Sequence, residues 1–273
     1  MLLAQITDPH IKVDRNLAYG RVDTTSLLES VVAHVNNFSP AIDAAIVTGD
    51  LTDSGRSEEF AAVRLILDRL KMPWYAVPGN HDQRDNFLHT FGDQGHIADC
   101  KDFVQYSIND FPVRLVGLDT MVSGKPYGLL CRERLIWLED CLKQQSKKPT
   151  LIFQHHPPFE VGIGHMDVQN LKNASELFDA LKHHPQVRHI ACGHIHRATE
   201  TCINGVGISI APNAAHSTTL DLDPDGPSTF TLEPPALRLF KTDSDHNIVS
   251  HISFVGNFDG PHPYYTADGL LVD

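Results

Sequence analysis

Five short apolar runs in this chain each stop abruptly at a loop marked by Gly or Pro, and each loop carries an imidazole, carboxylate or carboxamide. Trp74-Tyr75-Ala76-Val77 ends at Pro78 and opens into Gly79-Asn80-His81-Asp82. Residues 2–6 lead to Asp8-Pro9-His10, and residues 44–47 to Thr48-Gly49-Asp50. Residues 150–153 lead to Gln154-His155-His156-Pro157-Pro158, and residues 188–192 to Gly193-His194-Ile195-His196. Such runs read as buried strands, because proline cannot continue a central ladder and glycine lets the chain turn at once. Between them apolar residues recur with helical period. Residues 24–37 do so through Leu27, Leu28, Val31, Val32 and Val35, behind an Asp23 or Thr24 cap. Residues 57–70 do so through Phe60, Val63, Ile66, Leu67 and Leu70, with Glu58 and Glu59 in the first turn where the dipole favours acids. The pattern also predicts helices over 85–91, over 132–145 with Leu135, Ile136, Leu138 and Leu142 inward, and over 173–184 capped by Asn173. Strands alternating with helices make an α/β chain, and open sheets of that class bind ligands beyond the carboxyl ends of their strands.

The rest of the chain reads as β structure. Residues 104–108 and 113–118 suit a hairpin, and 207–211, 236–241 and 248–255 alternate like strands. The Pro-, Gly-, Asp- and Thr-rich stretch 220–235 is long for an idle loop; it is expected to be disordered, to cap the site mouth or to pack on a neighbouring subunit. The expectation is one domain over 1–273 with a β-rich C-terminal part at 200–260, in a homo-oligomer. A 41% hydrophobic content gives ample core, and a net charge of −12 repels nucleic acid polymers and anionic membranes. No run approaches the roughly 18 apolar residues of a membrane helix. Five scattered cysteines without a Cys-x-x-Cys pair suit free thiols in a reducing, cytoplasmic setting.

Each loop alone has a plain reading: Asn80 and Asp82 as helix caps, Asp8-Pro9 as a turn, His155 and His156 as packed rings. Their recurrence at five strand ends outweighs it. Together the loops supply Asp8, His10, Asp50, Asn80, His81, His155, His194 and His196, within a chain holding 17 histidines. Oxygen and imidazole donors without thiolates suit six- or five-coordinate Mn, Fe, Co or Zn better than a structural zinc. His194 and His196, two apart on an extended segment, face one side about 7 Å apart, which suits two neighbouring ions. So many ligands exceed one ion's needs and fit two divalent ions sharing a carboxylate.

In this order the residues resemble the calcineurin-like metallophosphoesterases, whose pattern is Asp-x-His, Gly-Asp, Gly-Asn-His-Asp/Glu, His and Gly-His-x-His; the match runs from Asp8 to His196. The resemblance implies a four-layer αββα sandwich of two mixed β-sheets flanked by helices, here with a C-terminal β extension. It implies that Asp8, His10 and His196 hold one metal, that Asn80, His155 and His194 hold the other, and that Asp50 bridges them. His81 would then sit beside the substrate phosphate, donating to it or to the leaving oxygen. Within the superfamily the chain looks most like bacterial class III cyclic-nucleotide phosphodiesterases and glycerophosphodiesterases, on the N-terminal strand, Tyr19-Gly20, His-His-Pro-Pro and Met166-Asp167. The protein phosphatase branch has Gly-Asp-x-x-Asp-Arg-Gly; here Ser54 stands in the arginine's place, with Arg56 two residues on. One fewer fixed positive charge suits a diester monoanion. The expected reaction is attack of metal-bound hydroxide on a small phosphodiester, a cyclic nucleotide or a glycerophosphodiester. No covalent nucleophile is needed, which leaves Ser54, Cys100 and Thr120 structural. His156 is expected to orient a ligand, and His165 and His216 lie on loops able to line the pocket. A phosphomonoesterase, a nuclease or a non-catalytic scaffold on the same fold are the alternatives; the acidic charge disfavours the nuclease and the complete ligand set the scaffold.

Overall fold

The βα runs deliver parallel strands. In the computed structural model, which describes residues 1–272, β1 (Leu2–Ile6), β2 (Ala44–Thr48) and β3 (Trp74–Val77) lie parallel and adjacent. They are linked by α1 (Thr24–Asn36) and α2 (Ser57–Leu67) and followed by α3 (Arg84–Phe91). Asp23 caps α1, its Oδ1 accepting from Ser26 N at 2.9 Å. Helix α2 ends short of the expected residue 70, because its last turn tightens: Arg69 N donates to Ile66 O at 3.2 Å and Leu70 N to Leu67 O at 2.9 Å.

The second half contributes β4 (Tyr106–Ile108), β5 (Arg114–Leu118), α4 (Arg132–Gln144), β6 (Thr150–Gln154), α5 (Gly164–Asp167), α6 (Ala174–Leu181), β7 (Val187–Cys192), β8 (Thr199–Ile203) and β9 (Val206–Ile210). Strands β10 (Ser217–Thr218) and β11 (Phe230–Thr231) form a two-stranded ribbon at the base of the 220–235 excursion, and β12 (Ala236–Thr242) and β13 (Ile248–Phe254) follow. One sheet runs β13-β12-β1-β2-β3, the other β4-β5-β6-β7-β9-β8; both mix parallel and antiparallel pairs. The expected β extension is therefore divided, β8 and β9 widening one sheet, β12 and β13 the other.

Period-two alternation sets the layers. Leu115, Leu151 and Phe153 join the core shared with β1–β3, whereas Val116, Leu118 and Ile152 pack with Leu138 and Leu142 of α4 and Leu177 and Leu181 of α6. Helices α1–α3 cover the outer face of the first sheet and α4 and α6 that of the second, giving the four-layer sandwich.

Three local expectations are corrected. Ile136 is 49% exposed; the inward residues of α4 include Arg134 and Cys141. Arg134 is drawn in by Asp119, fully buried at the end of β5: its Nη1 donates to Asp119 O at 2.8 Å, while Arg84 of α3 binds the Asp119 carboxylate at 2.6 and 3.1 Å. Asn173 precedes α6, but its side chain binds Leu130 N at 3.0 Å and Leu130 O at 2.7 Å instead of capping the helix. Helix α6 also stops at Leu181, where His184 N closes a turn onto Leu181 O at 2.9 Å.

Candidate metal centre

Five of the loop residues adopt left-handed backbone: Asp8 (φ 52°), His10 (φ 43°), Asp50 (φ 47°), His194 (φ 73°) and His196 (φ 58°). Such conformations cost on the order of 1–3 kcal/mol each for a residue with a side chain and persist only where the surroundings enforce them. Here the loops hold one another: Asp8 N donates to Gly49 O at 3.1 Å, His10 N to Asp50 O at 3.0 Å and Gly193 N to His155 O at 3.0 Å. The fit requires glycine where the loops touch. A Cβ on Gly49 would lie 2.4 Å from His155 Nδ1, and one on Gly193 would lie 2.3 Å from Thr7 Oγ1. Gly193-His194-Ile195-His196 is thus not the extended segment expected. Left-handed turns at both histidines aim the rings, with Ile195 fully buried between them.

The seven side chains expected to bind metal converge as two sets that meet at the Asp50 carboxylate. In one set His10 Nε2 lies 3.1 Å from His196 Nε2, which lies 3.3 Å from Asp8 Oδ1. In the other His155 Nε2 lies 3.0 Å from Asn80 Oδ1 and 3.2 Å from His194 Nδ1. Asp50 Oδ2 stands between them, 3.7 Å from His10 Nε2 and 3.3 Å from His155 Nε2. Ring orientation is set from behind. His155 Nδ1 faces Thr48 O at 2.8 Å, a carbonyl that only accepts, so Nδ1 carries hydrogen and Nε2 is left for a ligand. His81 lies beside both sets, its backbone N donating to Asp50 Oδ1 and its Nδ1 to Asp53 O, both at 2.8 Å.

Electrostatics make this a place for cations. Burial pushes His10 and His194 well below their usual pKa, leaving a neutral imidazole in each set. Burial also opposes the charge on Asp50, but His155 and His81 outweigh it and hold the carboxyl well below its usual range. The same pairing raises His155 to about 9 against the cost of burial. Without metal, a proton on His155 does the work of a cation. The other ring nitrogens of the two neutral imidazoles, His10 Nδ1 and His194 Nε2, are buried without a hydrogen-bond partner. Crowded nitrogen and oxygen donors, two buried carboxylates and no thiol fit two divalent ions.

The model of the calcineurin-like phosphoesterase family matches residues 1–198, the span that holds every one of these loops. This chain belongs to that family. A probable glycerophosphodiester phosphodiesterase, GpdQ, from Arcobacter nitrofigilis is 39% identical over 274 residues, covering 100% of both chains. A cyclic adenosine monophosphate phosphodiesterase, CpdA, from Escherichia coli is 29% identical over 238 residues, 85% of this chain and 84% of that one. A dimetal phosphatase from Danio rerio shares the fold, with a TM-score of 0.65 at 16% identity over 92% of this chain and 98% of its own.

Over the metal centre of this phosphoesterase opens a pocket of about 430 Å³. His10, Asp50, Asn80, His81, His194 and His196 form its floor, and both His165 and His216 line it, His165 from the short helix α5 and not from the loop expected. His216 packs on His196 with ring centroids 4.5 Å apart, and burial pushes it down to about 3. His156 supports the floor, its Nδ1 meeting Thr120 Oγ1 at 2.8 Å. Asp82 does not cap the next helix. It ties two loops together by accepting from Leu51 N at 3.1 Å, Thr52 N at 3.0 Å and Gly79 N at 2.9 Å. Sequence reasoning missed Thr7, which donates to the Asp8 carboxylate, and Asn213, whose Nδ2 donates to Asp8 O at 2.8 Å. It missed Phe230 too. Nothing local marks these residues, which reach the site only through the fold.

Proposed function

We propose that this phosphoesterase hydrolyses small phosphodiesters at a binuclear metal centre. The observation that carries the reading is the meeting of two oxygen and nitrogen donor sets at Asp50, on the floor of a pocket lined, among the described residues, by no Lys or Arg. A phosphomonoester dianion wants an extra fixed cation; a diester monoanion does not. Arg56 does not supply one, being exposed at the start of α2. The names of the GpdQ and CpdA relatives support a diester substrate, either a glycerophosphodiester or a cyclic nucleotide.

In this reading Asp8, His10 and His196 would hold one ion, Asn80, His155 and His194 the other, and Asp50 would serve both. Bound there, two ions drawn from Mn, Fe, Co or Zn would supply water activation and counter-charge for the phosphoryl and departing oxygens. His10, Asp50, Asn80, His81 and His196 face the phosphate. His81 is the general acid: with Nδ1 hydrogen bound to Asp53 O, its Nε2 is the nitrogen left to protonate the leaving alkoxide. Burial opposes a charge on His81, but Asp50 and the Asp53 carbonyl raise its pKa, which favours the proton-bearing form. The −12 charge keeps nucleic acid polymers and anionic membranes away, and no helix among the described residues is long and apolar enough to cross a membrane. Exposed Phe258, Tyr264, Tyr265 and Leu271 near the C-terminal end support self-association, and cysteines without partners support a reducing cytoplasm. The test is turnover of bis(4-nitrophenyl) phosphate against 4-nitrophenyl phosphate by metal-stripped protein reloaded with Mn²⁺. Faster hydrolysis of the monoester would overturn the diester reading.

A further inference from the structure

The outer half of the pocket is built by elements that hold no proposed metal ligand. Tyr19 stands at the tip of a tight loop closed by the Ala18 and Val22 backbones, 56% exposed and with φ 52°. A bulky aromatic in left-handed backbone is strained, where Gly or Asn would be relaxed. Its ring lies 5.0 Å from Phe230 at an interplanar angle of 33° and 5.3 Å from His216. Phe230 arrives on β11 from the excursion, which also brings Ser228 and Thr229 to the rim. The excursion is seated: Leu222 Cδ2 lies 3.4 Å and Pro224 O 2.3 Å from where side chains on Gly162 and Gly164 would begin. Those glycines lead into α5, whose His165 and Met166 form the opposite wall, with Gln169 just beyond.

The charge of this chamber is one-sided. Arg197 lies behind Thr218, its Nε bound to Thr218 O at 2.9 Å and its guanidinium paired with Glu233. Lys12 is paired with Asp53. The excursion itself carries Asp221, Asp223 and Asp225. Among the described residues no Lys or Arg lines the chamber, so beyond the floor a second anionic group meets only aromatic rings, imidazoles and neutral side chains.

We propose that Tyr19, His216, Phe230 and the excursion form a subsite for the alcohol portion of the diester that accepts an uncharged or cationic group with a flat or methylated face and turns away one carrying a second negative charge. This rests on the diesterase reading and narrows it. A nucleoside base can stack on the Tyr19–Phe230 edge, and a quaternary ammonium gains from the same ring faces. A terminal carboxylate or phosphate finds no Lys or Arg among these lining residues to receive it. The Tyr19 and Phe230 rings, from opposite ends of the sequence, close one wall and set the chamber's width.

The experiment compares three glycerol phosphodiesters of similar length on the Mn²⁺-loaded protein, with choline, propanol or 3-hydroxypropanoate as the second alcohol. The carboxylate diester should have kcat/KM lower than the choline diester on the order of tenfold, the effect of ring faces that hold a cation and not an anion. The gap should lie in KM. Ser228→Lys, at the exposed rim, should narrow it by speeding the carboxylate diester. Tyr19→Ala should raise KM for the choline and propanol diesters several-fold, with metal content per chain and melting temperature measured alongside to exclude a folding or metal defect. Binding of the three probes as non-hydrolysable phosphonates, followed by calorimetry, should rank the same way. Equal kcat/KM for the choline and carboxylate diesters, or a gap that Ser228→Lys leaves unchanged, overturns the subsite alone. No hydrolysis of any diester by metal-loaded protein overturns the diesterase reading and the subsite with it.

Discussion

At the scale of single residues, Asp50 and His81 carry different burdens although one backbone hydrogen bond joins them. Asp50 Oδ2 stands between the two donor sets, so Asp50→Ala should lower metal content toward zero, whereas Asn80→Ala should leave close to one ion per chain. Elemental analysis after dialysis decides it, and two ions retained by Asp50→Ala would remove Asp50 from the bridging role. His81→Ala should keep both ions yet lose turnover by on the order of 10²–10⁴-fold, the range for a positioned acid. The loss should track the leaving group, since an aryl alcohol of low pKa departs without a proton while glycerol or ribose does not. Equal losses on aryl and alkyl diesters would make His81 a phosphate-positioning group instead. The eight residues that the fold gathers at the candidate centre were legible in sequence because each sits at an abrupt strand end with an unusual donor. The left-handed backbone of five of them was not, since periodicity reports extended or helical runs and says nothing of single residues between them. Thr7 and Asn213 were hidden for a further reason: a threonine or asparagine in a loop is ordinary until the fold sets it against Asp8.

Among the elements, strands and helices followed from local pattern, and the misses mark where tertiary contact overrode it. Strand β8 was passed over although Asn204-Gly205, both at positive φ, form the tight turn that pairs it with β9, the strongest short-range hairpin signal there is. Its mixed sequence, Thr-Glu-Thr-Cys-Ile on a half-exposed edge, concealed it. Ile136 suited the inward stripe of α4 by period, but the ion cluster under that helix needed Arg134 there. That cluster yields a prediction. Asp119 is fully buried and joins α3 to α4: its carboxylate pairs with Arg84 and its backbone oxygen accepts from Arg134, so removing the carboxylate strips Arg84 of its partner and buried Arg134 of its nearby counter-charge. Asp119→Ala should destabilise the protein by about 3–5 kcal/mol, the cost of breaking a buried pair on one side. Urea unfolding of the metal-loaded enzyme measures it; a change below about 1 kcal/mol, within the range of exposed pairs, would show the cluster to be screened by water.

For the whole molecule, the centre concentrates backbone strain and unmatched charge where the two sheets' loops meet. The crowded Asp8 and Asp50 carboxylates and imidazole nitrogens stay assembled at an electrostatic cost that bound cations would offset. Ions bound only by the folded state, at a hundred times their dissociation constant, add about 2.7 kcal/mol, and for a chain of this size each kcal/mol moves the melting temperature by about 2–4 °C. Chelation should therefore lower it by roughly 5–10 °C. The pH dependence has a definite sign. The pKa of His155 in the folded, metal-free protein is raised to about 9, so its pairing with Asp50 stabilises that form fully below the unfolded value near 6.5. This contribution is lost as pH rises through about 9, while Asp50 stays ionised throughout because its own pKa is held down. A metal on His155 must displace that proton, so metal affinity should rise by up to about tenfold per pH unit below 9. Both effects act together: the gap in melting temperature between loaded and chelated protein should widen from pH 6 to pH 9. Calorimetric scans in matched buffers measure it, and a gap that narrows with rising pH would mean that proton and metal do not compete for His155.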